Sequence, residues 1–160
     1  MRKIFALAVA LPMIALPGCS MIDHGISKRF ATYLTGGLMA PGVRGDPDAS
    51  GMVLVWMGEP PGPICYNVSV RKTAPVIEAH LHRSTAAARW AADGPVIATL
   101  KRFRKGESNG CFRPSGNGRP DLRRELEADP SIYYIDVHTV DFPGGALRGK
   151  IERSKPDVKG

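Results

Sequence analysis

Between residues 30 and 152 the apolar side chains come in short runs that alternate with polar ones. Candidate strands lie at 30–34, 51–57, 64–71, 76–82, 95–101, 132–138 and 146–152. Turn-forming clusters separate most of them: GVRGDPDASG ahead of the second, GEPPGP between the second and third, and DFPGG between the sixth and seventh. Short strands punctuated in this way predict an all-β domain, an antiparallel sandwich or barrel. Two short helices are expected in its loops. One is STAAARWAA at 84–92. The other is PDLRRELEADP at 120–130, where Pro120 suits a first helical turn, Leu122 and Leu126 share a face, and Pro130 ends the run. Residues 104–120 read as a long loop held by Cys111, and there is no internal repeat.

Two of the strands carry chemistry on the face away from the core. In 76–82, Ile77, Ala79 and Leu81 form the apolar face, whereas Val76, Glu78, His80 and His82 share the other. In 132–138, Tyr133, Ile135 and Val137 are apolar, and Ile132, Tyr134, Asp136 and His138 lie opposite. If these strands are neighbours, His80, His82 and His138 converge on one outer sheet face beside Glu78 or Asp136. Three imidazoles around an open position suit zinc or copper. The same pattern also fits histidines that only hydrogen-bond to backbone, Thr139 or Glu78. No GxSxG, HExxH or phosphate-binding glycine loop is present.

The N-terminus follows a different pattern. Arg2 and Lys3 precede an apolar stretch from Ile4 to Leu16, interrupted by Pro12 and shorter than the roughly 20 residues that span a bilayer. This is the layout of a secretory signal peptide over residues 1–18. Leu16-Pro17-Gly18-Cys19 resembles the lipobox of bacterial lipoproteins, so Cys19 is the expected lipidation site and Ser20 suits outer-membrane sorting. Residues 19–31, which include His24, read as a tether, residues 32–153 as the β domain and 154–160 as a tail. The expected partner is therefore a membrane, reached through acyl chains, with the domain facing the periplasm or the surface.

Export changes the reading of the remaining cysteines. Cys65 and Cys111 form an even pair in an oxidising compartment and are expected to be disulfide-bonded; two free thiols are the alternative. Without residues 1–18 the formal charge falls from +7 to +5. Arg71, Lys72, Arg102, Arg104, Arg123, Arg124, Lys150 and Arg153 are scattered without a dense block, so nucleic acid is not an expected partner.

Several stretches, taken together, resemble the CHRD domain family, first described in chordin. YLTGGLMAPGV (33–43), SGMVLVWM, ICYNVSV, EAHLH and GPVIATL (94–100) match its successive segments, and DPSIYYIDVHTVDFPGGALRGKI (129–151) reproduces its Tyr-Tyr-x-x-x-His-Thr, Phe-Pro-Gly-Gly and Arg-Gly elements in order. The likeness covers about residues 32–152. Leu38-Met39 stand where the family usually has Gln-Glu, RSTAAARWAADG replaces a glycine-rich loop, and Asp136 replaces an asparagine. The resemblance implies a small antiparallel β-fold, immunoglobulin-like or superoxide-dismutase-like, and no settled activity.

Three functions remain compatible with these residues. The first is a non-enzymatic binding module that takes a partner or a copper or zinc ion. The second is a copper oxidoreductase of superoxide dismutase type with Arg148 guiding an anion. The third is a structural envelope protein whose histidines hold no ligand.

Overall fold

Alternation along the chain is realised as a single antiparallel sheet. The computed structural model describes residues 26–39, 42–85, 94–112 and 121–154. The leader, Cys19, His24, most of the expected 84–92 helix and the tail beyond Ser154 lie outside the described residues. The strands are β1 (Ile26–Thr35), β2 (Ser50–Gly58), β3 (Ile64–Arg71), β4 (Val76–Arg83), β5 (Val96–Thr99), β6 (Glu107–Phe112), β7 (Tyr133–Thr139), β8 (Leu147–Lys150) and β9 (Glu152–Arg153). Their spatial order is β5-β4-β7-β8-β1-β2-β3-β6, with β9 also paired to β1.

The two ends of this sheet come together through side chains. The Lys101 N–H, just past β5, donates to the Tyr66 hydroxyl on β3 (2.8 Å), and Ser108 Oγ on β6 donates to the Lys101 carbonyl (2.6 Å). The sheet is thereby nearly closed into a barrel, which leaves little free edge. Inside lie Phe30 and Leu34 from β1, Val53, Val55 and Met57 from β2, Ile64, Tyr66 and Val68 from β3, Ala79 and Leu81 from β4, and Tyr133, Ile135 and Val137 from β7.

One helix, α1 (Leu122–Ala128), lies within the expected 120–130 stretch and turns Leu122 and Leu126 into the same core. The Asp121 carboxylate accepts from the Arg124 N–H (3.2 Å) and caps its first turn. Glu125 anchors the helix to the sheet. Its carboxylate accepts two bonds from the Arg83 guanidinium (2.8 and 3.2 Å) and one from the Tyr133 hydroxyl (2.5 Å). The Arg83 guanidinium, helped by that hydroxyl, holds Glu125 below its ordinary carboxylate range.

The structure departs from the sequence expectations in three places. First, β1 begins at Ile26, so the last residues of the expected 19–31 tether are strand. Lys28 and Arg29 pair with Met57 and Trp56, across a register irregularity that follows Ile26. Polar residues on this flank hide the alternation. Second, the 104–120 segment is not all loop: β6 pairs with β3 from Ile64↔Phe112 to Ser69↔Glu107. Its inward positions include Ser108 and Gly110, and a Cβ at Gly110 would lie 2.7 Å from the Tyr66 hydroxyl. Tyr66 fills the space where apolar side chains of β6 would otherwise alternate. Third, the expected 146–152 strand is broken at Ile151 into β8 and β9.

Cys65 and Cys111 are direct partners in the β3–β6 register and form the expected disulfide, with Cα atoms 3.9 Å apart.

Candidate metal centre

Strand pairing alone places the site. On β4 and β7, Glu78 pairs with His138, His80 with Asp136 and His82 with Tyr134. On the other side of β7, Asp136 pairs with Arg148 and Tyr134 with Lys150 of β8. Ala79, Leu81, Ile135, Val137 and Leu147 on the same strands are core residues, so this grid of polar side chains lies on the opposite, outer face. Same-face neighbours on paired strands are within side-chain reach. Asp136 stands at the centre, between His80 and Arg148 across the strands and between Tyr134 and His138 along its own.

The expected outward convergence of His80, His82 and His138 is present, with His80 ring centroids 5.3 Å from His138 and 5.7 Å from His82. Their side chains are nonetheless only 12–14% exposed, and that of Asp136 is 4% exposed. Loop backbone reaches over this face. His82 Nδ1 donates to the Gly94 carbonyl (2.8 Å) and His138 Nδ1 to the Pro143 carbonyl (2.9 Å). Gly94 has no room for a side chain: a Cβ there would lie 1.9 Å from the Arg83 carbonyl oxygen.

These two bonds decide the chemistry of the rings. A carbonyl can only accept, so the Nδ1 atoms carry protons and the Nε2 atoms face inwards. His82 Nε2 is 3.2 Å, His138 Nε2 3.4 Å and His80 Nδ1 3.6 Å from a single atom, Asp136 Oδ1. Asp136 Oδ1 and both Nε2 atoms are buried and make no hydrogen bond of proper geometry. Neutral imidazoles would aim lone pairs at a carboxylate, so the arrangement calls for positive charge, either ring protons or a cation. Burial opposes the charge on His82, but the Asp136 carboxylate and the Gly94 carbonyl outweigh it and raise its pKa. Asp136 and, beyond the opposing effect of burial, the Pro143 carbonyl raise that of His138. Burial likewise works against the Asp136 anion, yet His138 and His82 hold its carboxyl well below its usual range.

Donor spacing suits an ion. In a tetrahedron with bonds of 2.0–2.1 Å, donors are about 3.4 Å apart. The donors form two overlapping groups, His80–His82–Asp136 and Glu78–His80–His138, each with ligand atoms within 4.8 Å of one another. His80 belongs to both, because its Nδ1 faces Asp136 and its Nε2 lies 3.5 Å from Glu78.

The likeness seen in the motifs extends over the domain: the sequence model of the CHRD domain matches residues 30–151, more than half of the chain. The chain belongs to the CHRD domain family. No curated protein gives a significant match. In this CHRD domain the Tyr-Tyr-x-x-x-His-Thr element supplies Tyr134 and His138 as well as the buried Tyr133, and Phe-Pro-Gly-Gly supplies the Pro143 carbonyl that orients His138.

Arg148 has a different placement from that of an anion guide. Its guanidinium donates to Asp136 Oδ2 (3.2 Å), lies 4.6 Å above the Tyr134 ring, and is nearly buried. Tyr134 in turn stacks on His82 at 4.8 Å. Arg148 therefore orients Asp136 instead of offering a free cation. Asp136 as the hub, and the Gly94 and Pro143 carbonyls as orienting groups, were not legible as such. The glycine just before β5 and the proline after His138 were the available signals.

Proposed function

We propose that this CHRD domain is a non-enzymatic binding module that takes a copper or zinc ion through His80, His82 and His138, with Asp136 as an additional donor. The observation that carries this reading is the pair of buried Nε2 atoms, each fixed by an Nδ1–H bond to a carbonyl and each turned to the same unsatisfied carboxylate oxygen. Orientation of a ligating imidazole by a hydrogen bond on its other nitrogen is the usual support of a metal site. Imidazole and carboxylate donors suit both ions, which as Lewis acids supply a fixed positive charge in place of the ring protons.

The test is titration of metal-free protein with Cu(II) and Zn(II), followed by calorimetry and thermal melting. A ligand that binds the native state alone raises the melting temperature, and His80→Ala is expected to abolish that rise. The same variant should cost metal-free protein less than the roughly 2–5 kcal/mol of a core truncation, since the ring lies outside the apolar core although it is 14% exposed. A wild-type protein with no bound ion and no shift in melting temperature would refute the metal reading.

The same proposal places the module in the cell envelope, held by acyl chains at Cys19. The charged and apolar leader ending in Leu16-Pro17-Gly18-Cys19 supports it. Cys19→Ser is expected to move the protein from the membrane to the soluble fraction, and wild-type protein without acyl mass would rule out the anchor.

A further inference from the structure

A second concavity lies elsewhere on the barrel, between the β3–β4 link and the turn before β6. It is an open cleft of about 450 Å³ whose lining includes Lys72, Arg102 and Lys105. The sequence disperses these cations, but the fold joins their segments: the Val70 N–H, at the end of β3, donates to the Gly106 carbonyl (2.8 Å). Phe103 and Val76, partly buried against the core, give the cleft an apolar wall. Among the described residues none of the lining side chains is acidic.

The backbone adds an independent observation. Lys72 (φ 55) and Lys105 (φ 51) are the non-glycine residues with left-handed conformations in the described chain, and both line this cleft. Lys105 and Gly106 form the centre of a two-residue hairpin closed by Arg104 and Glu107, with bonds of 2.8 and 3.0 Å. Asparagine or glycine fits such positions with less strain. Strained residues persist where surrounding structure holds them, and they cluster at ligand sites.

Three cations around one concavity attract an anion. The volume is in the range of small-molecule sites, roughly 300–1,000 Å³. An arginine with flanking lysines suits phosphate oxygens. From these features we propose that the cleft binds a phosphorylated, sugar-sized anion, with Lys72, Arg102 and Lys105 on the phosphate and the polar body against Phe103. The ligand chemistry is shared by two sources, a free sugar phosphate and the phosphorylated headgroup of a glycolipid.

The experiment compares glucose 1-phosphate, inorganic phosphate and phosphatidylcholine vesicles carrying a monophosphorylated glycolipid, using isothermal titration and vesicle sedimentation. Binding of glucose 1-phosphate supports the free source, and binding confined to the doped vesicles supports the lipid source. The variant K72N/K105N keeps residues that tolerate the left-handed backbone. It is expected to melt at or above the wild-type temperature and to lose at least about tenfold in affinity. Arg29→Gln, an exposed charge on β1, should bind as wild type does. The proposal is overturned by an absence of binding in both arms, by unchanged affinity in K72N/K105N, or by an equal loss in Arg29→Gln. Inorganic phosphate binding as tightly as the sugar phosphate would overturn it too.

Discussion

Replacing Cys65 and Cys111 together with alanine is expected to lower the unfolding free energy by about 4 kcal/mol. The bond closes a chain separation of 46 residues, and a loop of that length carries a closure entropy of this size in the unfolded chain. A domain of this kind is stable by only about 5–15 kcal/mol, so the change removes a large share. The two cysteines are direct partners in the β3–β6 ladder, so the bond ties neighbouring strands at this point. Strand β6 ends the sheet order, and its inward positions include Ser108 and Gly110. Phe112, stacked on Tyr66 at 5.2 Å and partly buried against the core, is its apolar hold on the seam beside the disulfide. Urea unfolding of the double variant, against oxidised and reduced wild type, measures the loss. Reduced wild type should match the variant, and a difference from oxidised protein below about 1 kcal/mol would contradict the argument.

Most of the barrel was legible because its strands obey one rule, an apolar face turned inwards. β2, β3, β4 and β7 fall within two residues of the expected bounds, and the helix lies inside the 120–130 stretch. The rule failed where something other than an aliphatic side chain fills the interior. At β6 the filler is Tyr66, reaching across from β3, so Ser108 and Gly110 take inward positions and Phe112 alone is too little to mark a strand by alternation. At the start of β1, Lys28 pairs with Glu127 of the helix (3.3 Å), an ion pair between distant parts of the chain.

The site divides in the same way. Period-two alternation put His80, His82 and His138 on one face, and neighbouring strands made them converge. Their burial was not legible, because it comes from loop carbonyls at Gly94 and Pro143, and loop backbone writes no periodic pattern. Nor was the centrality of Asp136. A carboxylate on a strand reads as solvated until both neighbouring strands are known, and only the β4-β7-β8 order shows it enclosed by His80 on one side and Arg148 on the other.

Asp136→Asn is expected to have the largest effect on binding. The substitution keeps the shape of the side chain and removes its charge. Copper or zinc affinity should fall by at least about 100-fold, as the anion that faces all three imidazoles is lost. Metal-free stability should also fall, by about 3 kcal/mol, because the nearly buried Arg148 loses its carboxylate partner. The pH dependence separates these effects from general damage. In metal-free wild type, the pKa values of His82 and His138 are raised above 6.5, so the native state holds protons that the unfolded chain releases. Their stabilisation is complete below pH 6.5 and is lost as the pH rises through the folded values. Asp136 is held below 3.8, so its contribution is present above that pH and is lost as the pH falls through its folded value. The cluster is thus most stabilising between pH 3.8 and 6.5 without metal. Metal binding, which must displace the ring protons, strengthens as the pH rises. In Asp136→Asn the decline on the alkaline side should flatten, since both imidazoles lose the charge that raised them. Urea midpoints from pH 5 to 8 in the presence of a chelator measure this. An alkaline decline as steep in the variant as in wild type would show that the histidines take their protons from some other partner, and the assignment of Asp136 as the hub would fall.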